Sequence, residues 1–184
     1  MFISRLQSLR QKVSGNPAPQ PPFVAWTSRM SVDVKLLDND HKKHLILLSE
    51  LHDGVLNRYP KQILDVIFES LLGSLRAHFA HEEQIFTETA YPGAVVHERQ
   101  HDHMIELFKV MRARFRNCAD WESSLEIFKP LKSCLINHIE SSDQEYAPYL
   151  RTREVGAILA ASEASSAIAP RKQANGPRIL QGAW

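Results

Sequence analysis

The sequence predicts an all-α protein: an up-down-up-down bundle of four helices, with an N-terminal arm and flexible terminal extensions. Apolar residues recur at helical spacing over four long stretches between residues 38 and 150. Short connections with turn-forming residues separate these stretches, as in antiparallel bundles. Four of the ten prolines crowd residues 17–22, and proline and glycine both thin out in the middle, which suits long helices.

The ends of the chain differ in composition from its middle. We expect residues 1–22 to be a flexible leader and proline-rich linker, although residues 2–13 also have the spacing of a short amphipathic helix. Residues 23–150 are predicted to form the bundle. Residues 151–184 are predicted to be an alanine- and serine-rich extension followed by a flexible tail, for which the sequence identifies no protein partner.

The arm from Phe23 to Leu37 has no clear helical period, and we expect Trp26 and Val34 to anchor it. Helix-capping residues at positions 38–40 predict that the first helix begins there. It should end at residues 57–60. The second helix is predicted from about Gln62 to Thr89, with Val66 and Ser70 among the residues on its inner face.

The third helix is predicted to start after the turn at Tyr91, Pro92 and Gly93 and to end at a polar turn over residues 117–120. The fourth should span about residues 121–150. Pro130 lies inside this last pattern, so we expect a kink or a break in its first third.

Composition also limits the classes of function. A net charge of +1 gives no strong attraction to nucleic acid or to an anionic membrane. No run of about 18 apolar residues predicts a transmembrane helix. The first residues make a poor signal peptide, and two cysteines are too few for a disulfide framework, so we expect a cytoplasmic protein.

Every predicted helix carries residues of metal-binding type on its inner face. Burying so many polar groups without a metal would leave many unsatisfied, at about 1–3 kcal/mol each. Imidazole and carboxylate without thiolate favour iron, manganese or zinc. The set is too large for one tetrahedral ion and suits two six-coordinate ions. The seven candidate ligands are His41, His78, Glu82, His97, His101, His138 and Asp143.

The motifs DxDHK, HFxxEE, YP, Hx3H and HIx3D occur in this order from Asp38 to Asp143. Together they resemble the hemerythrin-like domain family, and more closely its bacterial single-domain, bacteriohemerythrin-type members. The resemblance covers about residues 26–150. It implies a non-heme diiron centre with an oxo or hydroxo bridge.

The resemblance also implies a role for each ligand. One iron would be held by His97, His101 and His138. The other, held by His41 and His78, would keep a vacant position. The two bridging carboxylates would be Glu82 and Asp143. The implied function is reversible O2 binding at the open iron, for oxygen carriage, storage or scavenging, with no catalytic residue.

An apolar pocket around the open iron would exclude water and anions. The candidate wall residues are Leu45, Leu48, Phe79, Phe108 and Ile139. Since His138 and Asp143 are five residues apart, both can face inward only if the helix has a π-type bulge or the aspartate reaches sideways.

Three residues depart from the family pattern: Asp33 replaces a small residue, often glycine; Asp40 replaces a common glutamine; and Cys134 replaces a frequent tryptophan. We expect Asp40 to cap the first helix rather than to support an imidazole. Glu83 is predicted to be solvated. Among the other histidines, His44 should lie near the site, and the remainder should be surface or supporting residues.

Three alternatives remain open at this point. The protein could be an O2 or redox sensor that signals through its terminal extensions. It could be a diiron enzyme that handles peroxide or nitric oxide, although oxidase sites are normally richer in carboxylates. It could also be a helical bundle with a structural or adventitious metal.

Overall fold

The computed structural model describes residues 21–151, so the predictions for the leader and for the C-terminal extension lie outside the described residues. Within this range the protein contains helices and no strand, which confirms the predicted all-α fold. A 3-10 turn, Ser28–Met30, precedes the bundle. The helices are α1 (Lys35–Leu56), α2 (Lys61–Thr89), α3 (Ala94–Asn117), α4 (Trp121–Glu126), α5 (Phe128–Asn137) and α6 (Asp143–Arg151).

Helices α4, α5 and α6 together take the place of the fourth helix of the bundle; we call this segment the fourth arm, as distinct from the N-terminal arm. Ile127 keeps helical dihedral angles between α4 and α5, and a π turn, His138–Ser142, joins α5 to α6. The irregularity predicted near Pro130 therefore lies three residues earlier, at Ile127. Pro130 itself occupies the first turn of α5, where a missing backbone N–H costs little.

Helix α1 begins at Lys35, three residues before the predicted start. Asp38 does not cap it but accepts hydrogen bonds from the backbone N–H of Val32 (2.9 Å) and the hydroxyl of Ser31 (2.6 Å). The carboxylate therefore ties the arm to the helix. Asp33, which lies between Val32 and Asp38 in the chain, has a φ of 61°. Glycine adopts this left-handed conformation without strain.

The N-terminal arm packs on the bundle through the two predicted anchors and through three more deeply buried residues. Trp26 and Val34 are partly buried and pack against the core. Val24, Met30 and Val32 are buried within it.

The turn between α2 and α3 lies where the sequence predicts it. Ala90 ends α2 in the left-handed conformation (φ 52°, ψ 49°), and the backbone N–H of Tyr91 donates to the carbonyl of Phe86 (3.0 Å). The phenol of Tyr149 donates to the carbonyl oxygens of Thr89 (2.5 Å) and Ala90 (3.0 Å). The turn is therefore fastened to the fourth arm.

Two further features join α2 to its neighbours. A β-carbon on Gly54 of α1 would come 2.5 Å from Leu64, so the helices approach closely there. Asp65 of α2 accepts paired hydrogen bonds from Arg112 and Arg116 of α3, at 2.6–2.9 Å. These two arginines hold the pKa of the Asp65 carboxyl well below its ordinary value.

Two apolar clusters fill the bundle, and the candidate ligands lie between them. On α1, His41 is flanked by Leu37 of one cluster and Leu45 of the other; on α2, Glu82 lies between Phe79 and Ile85. Val66, predicted on the inner face of α2, is 51% exposed, so that prediction is wrong. None of the helices within residues 21–151 has the length and apolarity to cross a membrane.

Candidate metal centre

All seven candidate ligands meet in one buried site between the two apolar clusters. Helix α1 supplies His41, and α2 supplies His78 and Glu82 one turn apart. Helix α3 supplies His97 and His101. The fourth arm supplies the last two, at either end of its π turn. Each of the seven is at most 7% exposed: His41, His78, Glu82, His97, His101, His138 and Asp143.

The π turn allows the fourth arm to contribute two ligands. Asp143 is five positions after His138. On a straight α-helix the two side chains would point about 140° apart. The widened turn brings the Nε2 of His138 to 3.2 Å from an oxygen of Asp143. Of the two alternatives that the spacing leaves open, the π-type bulge is the one observed.

The ligand atoms form two groups that could each hold a metal ion. One group contains His41, His78, Glu82 and Asp143, and the other contains Glu82, His97, His101 and His138, with the atoms of each within 4.8 Å of one another. In the first, the Nε2 atoms of the two histidines are 3.0 Å apart. Two nitrogens bound at right angles to one ion, each at about 2.1 Å, would be about 3.0 Å apart.

Each carboxylate directs one oxygen toward each group. Oε1 of Glu82 lies 3.4 Å from Nε2 of His78, while its Oε2 lies 3.0 Å from Nε2 of His101. Oδ2 of Asp143 lies 3.1 Å from Nε2 of His41, while its Oδ1 lies 3.4 Å from Nε2 of His97. This is the arrangement that two bridging carboxylates require.

The two buried carboxylates of the site favour positive charge close to them. Burial opposes ionisation of Glu82, but the surrounding imidazoles outweigh it and hold its pKa well below the ordinary value. Burial and Glu82 likewise oppose ionisation of Asp143, yet nearby histidines lower its pKa to about 2. Burial disfavours the imidazolium of His97, but the two carboxylates raise its pKa to about 9.

The donor atoms fit a metal centre, because many of them face one another without a well-formed hydrogen bond. The buried atoms in this position are Nε2 of His97, His101 and His138, Oε2 of Glu82 and both oxygens of Asp143. Unsatisfied atoms in this number are rare in a folded core. Cation coordination satisfies all of them at once.

Outer residues orient several ligands, and sequence reasoning missed most of them. Asp40 lies in the second turn of α1, so its predicted capping role is wrong; its carboxylate lies 3.6 Å from Nδ1 of His78 and 3.1 Å from Nδ1 of His81. Glu83, predicted to be solvated, accepts a hydrogen bond from Nδ1 of His101 (2.9 Å). Such partners fix the orientation of an imidazole and make it a better donor.

Tyr146 and Phe79 complete the surroundings of the ligands. The buried phenol of Tyr146 donates a short hydrogen bond to Oε1 of Glu82. Burial and the neighbouring carboxylates raise the Tyr146 pKa well above its ordinary value, so it remains a donor. The ring of Phe79 stacks on His101, with centroids 3.8 Å apart.

The remaining histidines differ in their distance from the candidate ligands. His44 is fully buried, and its ring centroid is 5.1 Å from that of His78, so the prediction that it lies near the site is confirmed. His52 stacks on Phe23 (3.9 Å) far along α1. His103 is exposed and lines a surface groove together with Cys134.

Cys134 lies at the edge of the bundle, and the candidate wall residues lie in its interior. Cys134 is a free thiol of intermediate exposure whose pKa is raised by burial. It lines the groove beside His138 rather than belonging to either group of ligand atoms. The five predicted wall residues are all buried: Leu45, Leu48, Phe79, Phe108 and Ile139.

The fold and the site together define a four-helix bundle protein with two adjoining buried groups of histidine and carboxylate atoms, each of which could hold a metal ion. The sequence pattern of the hemerythrin HHE cation binding domain matches residues 32–150. The chain therefore belongs to the hemerythrin family.

Characterised relatives agree with this assignment. The chain is 28% identical to the bacteriohemerythrin of Stenotrophomonas maltophilia over 129 residues, covering 70% of this chain and 82% of the relative. It is 25% identical to the myohemerythrin of Theromyzon tessulatum over 128 residues, covering 70% and 92%. A crystal structure of a leucine-to-phenylalanine mutant shares the fold, with a TM-score of 0.60 and 19% identity over 70% of this chain and 97% of that chain.

Proposed function

We propose that the protein is a non-heme diiron protein that binds O2 reversibly, for carriage, storage or scavenging. The observation that carries this proposal is the two-sided placement of Glu82 and Asp143, whose paired oxygens face two separate sets of histidines. Membership of the hemerythrin family supports iron as the metal. A diferrous pair bound there would supply the two electrons needed for reversible O2 binding.

The ligand set divides unequally between the two positions. His97, His101 and His138 would hold one iron together with the two bridging carboxylates. His41 and His78 would hold the other with the same two carboxylates, which is one imidazole fewer. The position with two histidines is therefore the one with room for an external ligand.

Several residues of the chain serve this function without touching a metal. Tyr146 orients Glu82 by donating to Oε1, and Glu83 orients His101 by accepting from its Nδ1. The Asp40 carboxylate lies 3.6 Å from Nδ1 of His78 and adds negative charge beside that ring. Buried apolar side chains such as Leu48 and Phe79 exclude water from the centre. Exclusion of water protects reduced iron from irreversible oxidation.

The proposal is tested by cycling gas over the purified protein. The protein is reduced without oxygen, its iron content is measured, and O2 and argon are then admitted in turn while the visible spectrum is recorded. Two irons per chain and a charge-transfer band that appears and disappears over repeated cycles are expected. Irreversible bleaching with turnover of peroxide or nitric oxide would instead indicate an enzyme, and bound zinc would exclude the diiron function.

A further inference from the structure

His44 is an unusual residue to find in this core. Among residues 21–151 it is the only buried histidine outside the seven candidate ligands. It is 0% exposed, and neither ring nitrogen has a well-formed hydrogen bond. Leaving a polar group buried and unpaired is destabilising, a penalty that a leucine at this position would avoid.

A second unpaired polar group lies beside His44. The backbone of Ser74 makes a weak polar contact with the ring that lacks the geometry of a hydrogen bond, and the Ser74 hydroxyl is buried without a hydrogen bond. Elsewhere on α2 the hydroxyl of Ser70 donates to the carbonyl of Val66 (2.8 Å). The Ser74 hydroxyl makes no such hydrogen bond to its own helix. Its Oγ and the two ring nitrogens of His44 are therefore three neighbouring polar atoms without a well-formed hydrogen bond.

This place adjoins one side of the His41 and His78 pair. His44 follows His41 by about one turn on α1, and Ser74 precedes His78 by one turn on α2. Because consecutive helices of the bundle are antiparallel, both residues lie on the same side of the pair. Glu82 follows His78 by one turn and so lies on the opposite side.

His44 is close to the centre but does not belong to its set of ligands. Its ring centroid is 5.1 Å from that of His78 and 6.4 Å from that of His41. The group of mutually close donor atoms around this pair is completed by Glu82 and Asp143 and does not include His44. The ring therefore lies just outside this set of ligands, on the side of the histidine pair away from Glu82.

We propose that His44 and Ser74 form a hydrogen-bonding wall in the ligand pocket of the His41 and His78 iron, which selects small ligands that accept hydrogen bonds. This inference rests on the proposed function, because it presumes an iron with room for an external ligand. The other residues predicted to line this pocket, such as Leu48 and Phe79, are apolar and buried. Azide is a suitable probe, since it is a small anion with acceptor nitrogens.

Azide titration of the oxidised, iron-loaded protein tests the wall directly. His44→Leu removes the ring nitrogens, and Ser74→Ala removes the hydroxyl. His52→Leu is the matched control, because His52 lies on the same helix and stacks on Phe23 away from the centre. Hydrogen bonds to charged acceptors predict that His44→Leu weakens azide binding about 10- to 100-fold, that Ser74→Ala has a smaller effect, and that His52→Leu has none.

Equal azide affinity in wild type and His44→Leu would overturn the wall, and so would loss of an iron from that variant, since His44 would then be a ligand. Wild-type protein that takes up no iron would refute the proposed function, and the wall with it. The melting temperature of the metal-free protein gives a readout independent of iron. It should not fall in His44→Leu, because no internal hydrogen bond is lost; a fall would show that the ring has a structural partner and would overturn the wall.

Discussion

Glu82→Gln tests the bridging geometry with little change in shape. Glu82 is fully buried, and its two oxygens face His78 at 3.4 Å and His101 at 3.0 Å. Glutamine keeps the volume and one acceptor oxygen, so the hydrogen bond from Tyr146 can survive. The amide nitrogen cannot coordinate a cation, and the negative charge between the two metal positions is lost.

The expected effect is large because one residue serves both positions. Residues that only support a metal ligand change metal affinity about 10- to 100-fold when they are replaced. Loss of a bridging carboxylate should exceed that range at one position at least. We therefore expect Glu82→Gln to retain at most one iron per chain after desalting.

The assay is anaerobic loading of metal-free protein with ferrous iron, followed by desalting and colorimetric iron determination. Glu88→Gln is the matched control, because this carboxylate lies on the same helix but is exposed and accepts a hydrogen bond from Gln84 away from the centre. It should retain both irons. Circular dichroism establishes that each variant is folded. Two irons retained by Glu82→Gln would refute the bridging role.

Three further predictions concern stability. Ala90→Gly should raise the free energy of unfolding by about 0.5–1 kcal/mol, because glycine adopts the left-handed conformation without strain; a lower melting temperature would contradict this. Gly54→Ala should cost about 1–3 kcal/mol, since its β-carbon would clash with Leu64, and an unchanged denaturation midpoint would disprove the close approach. Asp65→Asn should cost about 1 kcal/mol at pH 7, because its pairs with two arginines are partly exposed. Since the folded pKa of Asp65 is depressed, this contribution is complete above the ordinary value of 3.8 and declines as pH falls toward the folded value. Denaturant unfolding at pH 7 and pH 2 checks it, and a difference that does not shrink at pH 2 would argue against the ion pairs.

The sequence predicts the helices well where local signals agree. The turn at Tyr91 and Pro92 and the start of α2 lie within a residue of the prediction, because proline and the change in periodicity mark them. The start of α1 was missed by three residues. Asp38 reads locally as a cap, but in the structure its carboxylate binds the preceding arm, whose path depends on the left-handed Asp33.

Spacing also predicts that His41, His78 and the other candidate ligands share an interior, since their helical faces can be read from the apolar pattern. It does not predict the outer partners. Asp40 meets His78, and Glu83 meets His101, across helix interfaces. These contacts depend on how far each helix is rotated about its axis, which periodicity gives only within a broad arc.

The most direct test of the diiron assignment is a stoichiometric gas measurement. Protein loaded with iron and fully reduced is exposed to a known quantity of O2, the uptake is measured, and the O2 released under argon is then collected. The site geometry and family predict one O2 taken up for every two irons, with recovery of the same quantity on release. Uptake without recovery, or a chain that holds a single iron, would contradict a reversible diiron oxygen-binding centre.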